Sequence, residues 1–308
     1  MGDMAPQAER AAPDTEVGSF VRPPVWALVG LGLIAAFYVG LYHETMVHLW
    51  EQWSSNDDYA HGFLIVPLAL YFVWDRRERL KALQVEPSIL GAGLLAAGLG
   101  MLLVGSVGAE LFVQRISLIV VLAGLVWLVL GTAFLRELAF PLAFLVFMVP
   151  LPAIVMNAVA FPLQGFAART ATFCMQAAGV PVLREGNVII LANTTLEVAE
   201  ACSGSRSLQA LLALGAVYGY LTAPKSLWKR WALVLLSIPI AIAANAFRVS
   251  GTGLLAHFWD PEAAQGFYHT FAGWLVFVVA FVLLLATGSL LERFPDRLRG
   301  HSEKEAQP

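Results

Sequence analysis

Apolar residues run along this chain in blocks too long for a soluble core. They occupy stretches near 25–42, 61–75, 88–108, 116–134, 138–156, 203–222, 231–256 and 270–291. A helix needs about 20 predominantly apolar residues to cross the hydrocarbon layer of a bilayer. The pattern predicts an all-α polytopic membrane protein with about eight transmembrane helices. The second block is short and carries Pro67, and the fifth is open to a break around Pro150 and Pro152.

Between the fifth and sixth blocks the period changes. From Asn157 to Ala178 apolar positions are interspersed with Gln164, Arg169, Thr170 and Gln176, the pattern of an amphipathic helix in or near the interface. From Val182 to Val198 short β-branched runs alternate with the turn residues Glu185-Gly186-Asn187 and Ala192-Asn193-Thr194. That predicts a small β-hairpin or three-stranded cap leading directly into Cys202. A plain connector is the competing reading.

Cations fix the expected orientation. Arg76, Arg77, Arg79 and Lys81 follow the second block, Arg136 the fourth, Lys225, Lys229 and Arg230 the sixth, and Arg293, Arg297 and Arg299 the eighth. The loop from His43 to His61 holds no Lys or Arg. The positive-inside rule then makes both termini cytoplasmic and turns the segment 157–201 outward. Residues 1–24 read as a disordered cytoplasmic tail followed by a retained first helix, residues 25–292 as the transmembrane domain, and residues 293–308 as a basic and polar cytoplasmic tail.

Composition narrows the function. The chain is 58% hydrophobic and 13% charged, with a mean hydropathy of +0.71. Its net charge of −3 and lack of a basic tract give no sign of nucleic-acid binding. Lipids and polypeptides are the expected partners. Two cysteines, Cys174 and Cys202, allow one bridge but no disulfide scaffold.

The candidate chemistry collects on the outward face. Cys202 stands in Glu200-Ala201-Cys202-Ser203-Gly204-Ser205-Arg206, where a polar segment enters an apolar helix. A helix starting near Ser203 would direct its free N–H groups and positive dipole end toward the sulfur, favouring the thiolate. A buried structural cysteine is the alternative. Arg248 lies near the outer end of the seventh block, 17 residues beyond Trp231, roughly 25 Å along a helix. An arginine at that depth needs a partner or a wet cavity, or must snorkel to the headgroups. Asn245 shares its helical face, and His269 stands where the last outer turn enters the eighth block.

A thiol, an imidazole and a fixed cation at one depth on three consecutive helices are the ingredients of thiolate acyl transfer. Asn245, His61, Glu200, Ser203 and Gly204 are the candidate substrate-binding or orienting residues. One Cys and one His do not make a tetrahedral zinc set, so neither metal nor cofactor is expected. Two other classes compete. In a transporter or lipid-handling protein, Arg248 and His269 would bind an anionic group. In a thiol oxidoreductase, Cys174 would act with Cys202, although no Cys-x-x-Cys is present.

The run Ala201-Cys202-Ser203-Gly204-Ser205-Arg206-Ser207-Leu208, the later Ala244-Asn245-Ala246-Phe247-Arg248-Val249 and the following His269 resemble the exosortase/archaeosortase family. Trp53, Tyr59-Ala60-His61-Gly62-Phe63, Pro67, Trp74 and Arg76-Arg77 are similar to its N-terminal half. The resemblance implies a bacterial inner-membrane cysteine protease or transpeptidase. Its substrates would be membrane-anchored proteins with C-terminal sorting signals of the PEP-CTERM type or similar. By that likeness Cys202 is the nucleophile that forms an acyl-thioester, and Arg248 and His269 complete the catalytic set. Which of the two donates the proton and which stabilises the transition state stays open.

Overall fold

The computed structural model describes residues 25–192, 194–198, 205–224, 226–258 and 267–294. Ten α-helices follow in chain order among them: α1 Val25–Ser55, α2 Gly62–Asp75, α3 Arg77–Ala82, α4 Leu90–Val107, α5 Leu111–Leu130, α6 Thr132–Phe144, α7 Ala153–Ala177, α8 Ser205–Thr222, α9 Leu227–Phe258 and α10 Phe267–Glu292. A 3-10 turn, Leu145–Met148, continues α6. Three strands, β1 Val182–Glu185, β2 Val188–Leu191 and β3 Thr195–Glu197, stand between α7 and α8. The chain divides into two compact units, residues 1–46 and 47–308. The first holds the N-terminal part of α1, where the Tyr38 and Tyr42 rings lie 5.1 Å apart.

Among the described residues four helices are long and apolar enough to cross a membrane: α4, α5, α9 and α10 from Gly273 onward. The segments 132–148 and 153–177 pass the same test together but bend by 77° between them. The break falls at Val149-Pro150-Leu151-Pro152, where two prolines withhold backbone donors and hold the preceding residues extended. The fifth block is therefore not one straight helix over 138–156. Its second half instead begins α7, so the amphipathic segment read at 157–178 is the body of that helix rather than a separate element. Its buried positions Ala160, Gln164, Ala167, Ala168, Ala171 and Met175 follow helical spacing along one face.

Two other boundaries moved. The first helix runs on to Ser55 rather than stopping near 42, because nothing breaks it before Asn56-Asp57-Asp58. The fourth block starts at Leu111, ahead of Arg115, and ends at Leu130, with Gly131 as its C-cap. Gly131 has φ +99 and lies against the Glu86 carbonyl, a place no side chain can take.

The β prediction matches the structure closely. The sheet is antiparallel in the order β1-β2-β3, with Leu183 paired to Ile190 and Ile189 to Leu196. Gly186, at φ +63, makes the first turn. Strand β2 turns Ile189 and Leu191 into a core shared with Ala167, Ala168, Ala171 and Met175 of α7, Val180, Val198 and Val249 of α9. The cap is thus anchored to two helices by its buried face.

Small residues set the helix spacing. Gly91, Gly98 and Gly105 are buried along α4, and a Cβ at Gly98 would lie 2.9 Å from the Val121 backbone nitrogen of α5. Bare glycine faces let the two backbones approach, the means by which helices associate without a hydrophobic drive between them. Helices α8, α9 and α10 pack around Leu211, Leu233, Ala241, Ala280 and Leu284. Gly219 of α8 meets Arg230 of α9, and Gly215 meets Leu233 and Val234.

Candidate active site

The register of the last three helices locates Arg248. Stepping the antiparallel pairing of Gly219 with Arg230 along α8 and α9 brings Ser205, the first described residue of α8, level with Ala244. Arg248 lies one further turn along α9, about 6 Å past that start. On its other side a Cβ at Gly273 of α10 would sit 3.7 Å from Arg248 Nη1. His269 lies one turn before Gly273 on the same face of α10. The adjacent Val249 belongs to the core under the sheet. The half-buried Arg248 is thus placed where α8 begins, α10 begins and the sheet is anchored.

Asn245, one turn back from Arg248, is buried at 5% exposure. Cys202, Glu200, Ser203 and Gly204 lie outside the described residues, and His269 is described only as a position in helix α10. Their flanks are described. Val198 sits in the core with Val249, its N–H donating to the Asn187 carbonyl at 2.9 Å. Arg206 opens α8 and donates through Nε to Asp58 Oδ1 at 2.7 Å. Each flank is four residues from Cys202, a reach of at most about 14 Å for an extended chain. Cys174 of α7 is a half-buried free thiol.

His61, a candidate substrate-binding or orienting residue, is tied to the backbone before the proline break. It precedes α2 but makes no side-chain cap; instead its Nε2 hydrogen-bonds the Phe147 carbonyl at 3.2 Å. Trp53 Nε1 donates to the neighbouring Met148 carbonyl at 3.0 Å. The two side chains satisfy carbonyls freed where the 3-10 turn gives way to the proline break. Gly62 makes this possible, since a Cβ there would meet the Trp53 ring at 2.4 Å.

Burial lowers the His61 pKa from 6.5, and the opposing pull of the Phe147 and Asp58 carbonyls and the Asp58 charge is smaller. Between that lowered value and 6.5 the unfolded chain binds more protons at this ring than the folded one, so stability rises with pH across the window and is lost below it. The thermal midpoint is expected to fall as pH drops below 6.5. His61→Asn, which keeps a donor but cannot titrate, should show a smaller fall in a melting series.

Two features were not anticipated. Arg115, in the second turn of α5, is only 5% exposed, and its Nε is buried without a hydrogen-bond partner among the described residues; the Tyr59 phenol is its electrostatic neighbour. The apolar pattern of the fourth block begins at 116, just past this residue, and so carries no sign of its depth. The Asp58–Arg206 pair joins residues 148 apart. Its only sequence signal is the set of acids Glu44, Glu51, Asp57 and Asp58 in a stretch without cations.

At the opposite end of the second unit, Arg76 bonds the Tyr220 hydroxyl and the Glu137 carbonyl. Its guanidinium also lies 4.9 Å from the Tyr220 ring centre, with Arg230 at 5.5 Å from the same ring. Arg76 and Arg230 thus meet near the last turn of α8, whereas the sheet packs around Val249 of α9. A family model described as transmembrane exosortase matches residues 53–286. No curated protein and no solved structure matches the chain.

Proposed function

The chain belongs to the transmembrane exosortase family, membrane transpeptidases or proteases that act on sorting signals, and from that premise we propose that it is a cysteine enzyme whose nucleophile is Cys202. Its substrates are membrane-anchored proteins with C-terminal signals of the PEP-CTERM type. The observation that carries this reading is the position of Arg248, at the junction of the α8 start, the α10 start and the sheet anchor. A guanidinium there is within reach of the segment holding Cys202.

In this reading the Cys202 thiolate attacks the scissile carbonyl carbon, and the carbonyl π pair moves onto oxygen. Arg248 stabilises that oxyanion, because a guanidinium keeps its charge throughout the physiological range. The tetrahedral adduct collapses, the C–N bond breaks, and the leaving amine takes a proton from the imidazolium of His269, the group suited to giving and regaining one near neutral pH. Water or an acceptor nucleophile then attacks the thioester carbonyl. His269 takes up its proton, and Cys202 leaves as the thiolate.

The proposed setting is a bacterial inner membrane crossed about eight times by residues 25–292, with the tails 1–24 and 293–308 cytoplasmic and the sheet facing the periplasm. Support comes from Arg76, Arg79 of α3 and Arg230 of α9 meeting Tyr220 and Glu137 near the last turn of α8, away from its start. A substrate held by one helix and a basic tail would then meet Cys202 just outside the bilayer.

A co-expressed membrane protein bearing such a signal should be recovered with a new C-terminus immediately before its hydrophobic helix. Intact-mass analysis reads both the cut and any group attached to it. Recovery of the target uncut in the presence of the active enzyme would refute the reading.

A further inference from the structure

The loop between α1 and α2 holds a carboxylate in a fixed place. Trp53 and His61 tie its two ends to the Met148 and Phe147 carbonyls, and the Asp58 N–H donates to Asn56 Oδ1 at 2.9 Å. From this anchored turn Asp58 Oδ1 accepts from Arg206 Nε at 2.7 Å. The charge-assisted bond is short, and it crosses from the N-terminal half of the chain to the helix that follows Cys202.

Arg206 needs such a partner. It stands in the first turn of α8, where the helix dipole is unfavourable to a cation and favourable to a carboxylate. The side chains are 48% and 25% exposed, so the pair contributes little to folding. Its contribution is geometric. Arg206 is as far beyond Cys202 as Val198 is before it. Val198 is held by the sheet core; Asp58 holds the other side.

We propose that Asp58 is a positioning residue: by fixing Arg206 it sets the first turn of α8 and the approach of Cys202 to Arg248. This rests on the reading of Cys202 as the nucleophile. Asp58 touches no reacting atom. It acts through the direction in which the chain leaves Cys202, where displacements of an ångström cost large factors in rate.

The test uses the full chain in membranes, with a tagged target, and compares wild type with Asp58→Asn, Arg206→Gln and the exchanged pair Asp58→Arg with Arg206→Asp. Each single variant should lose about ten- to a hundredfold in turnover. KM and the melting temperature should stay close to wild type. The exchanged pair should recover most of the loss, which a purely structural defect would not. In a Cys174→Ser background, the rate at which a maleimide labels Cys202 should shift in the singles and return in the exchange.

Wild-type turnover by Asp58→Asn, an exchanged pair no better than the singles, or an Asp58→Asn protein that melts far below wild type would each overturn the positioning role. A wild-type protein that cuts no target defeats the reading of Cys202 itself. The labelling rates separate these failures, because they need no turnover.

Discussion

Cys202→Ala is expected to abolish cleavage of a tagged target while the protein remains inserted and melts at the wild-type temperature. The substitution removes one sulfur from a polar segment between the sheet and α8 and adds no bulk. A covalent route through a thioester has no substitute for that atom. What remains is binding and electrostatic stabilisation, which in comparable catalytic sites leave about 10³–10⁴ over water, too slow to follow for a peptide bond. Cys202→Ser should be as inactive, since a hydroxyl is far less ionised than a thiol at neutral pH. Immunoblotting of the target gives the readout, and undiminished cleavage by Cys202→Ala would contradict the proposed mechanism.

Arg248→Lys should lower turnover by about 10²–10³-fold, the usual cost of removing one preorganised oxyanion donor. KM should change little, because the contact strengthens only as charge develops on the oxygen. Lysine keeps the charge but not the planar fork or its reach. On α10 the fork lies beside Gly273, where a Cβ would make an ordinary contact 3.7 Å from Nη1. Steady-state kinetics on Arg248→Lys decides the point. Near-normal turnover would mean that a positive charge at this depth suffices.

The last three helices were legible in the sequence because their polar residues interrupt long apolar blocks at matching ends. The sheet was legible too, since Val182 to Val198 alternates β-branched runs with Gly186 and Asn187 at a turn. Pro150 and Pro152 marked the break that turns the fifth block into a bent pair. What hydropathy could not give was helix length, because an apolar window ends where the membrane does while backbone hydrogen bonds continue. So α1 was cut short by 13 residues, from Ser55 to Leu41-Tyr42, and Arg115 was left outside α5.

Long-range pairings were illegible for a different reason. His61 with Phe147, Trp53 with Met148 and Asp58 with Arg206 join residues far apart in sequence. No local pattern encodes such pairs. Yet together they tie the proline break, the loop before α2 and the first turn of α8 into one frame. Cys202 itself was marked by its neighbours Ser203 and Gly204, and the candidate Arg248 by its depth in an apolar helix.

The central claim is that Cys202 carries the cleaved polypeptide as a thioester. Enzyme mixed with target and quenched in acid should yield a covalent adduct that hydroxylamine releases, and peptide mass spectrometry should map it to Cys202. An adduct on another residue, or rapid cleavage with no hydroxylamine-sensitive adduct at any time point, would contradict it.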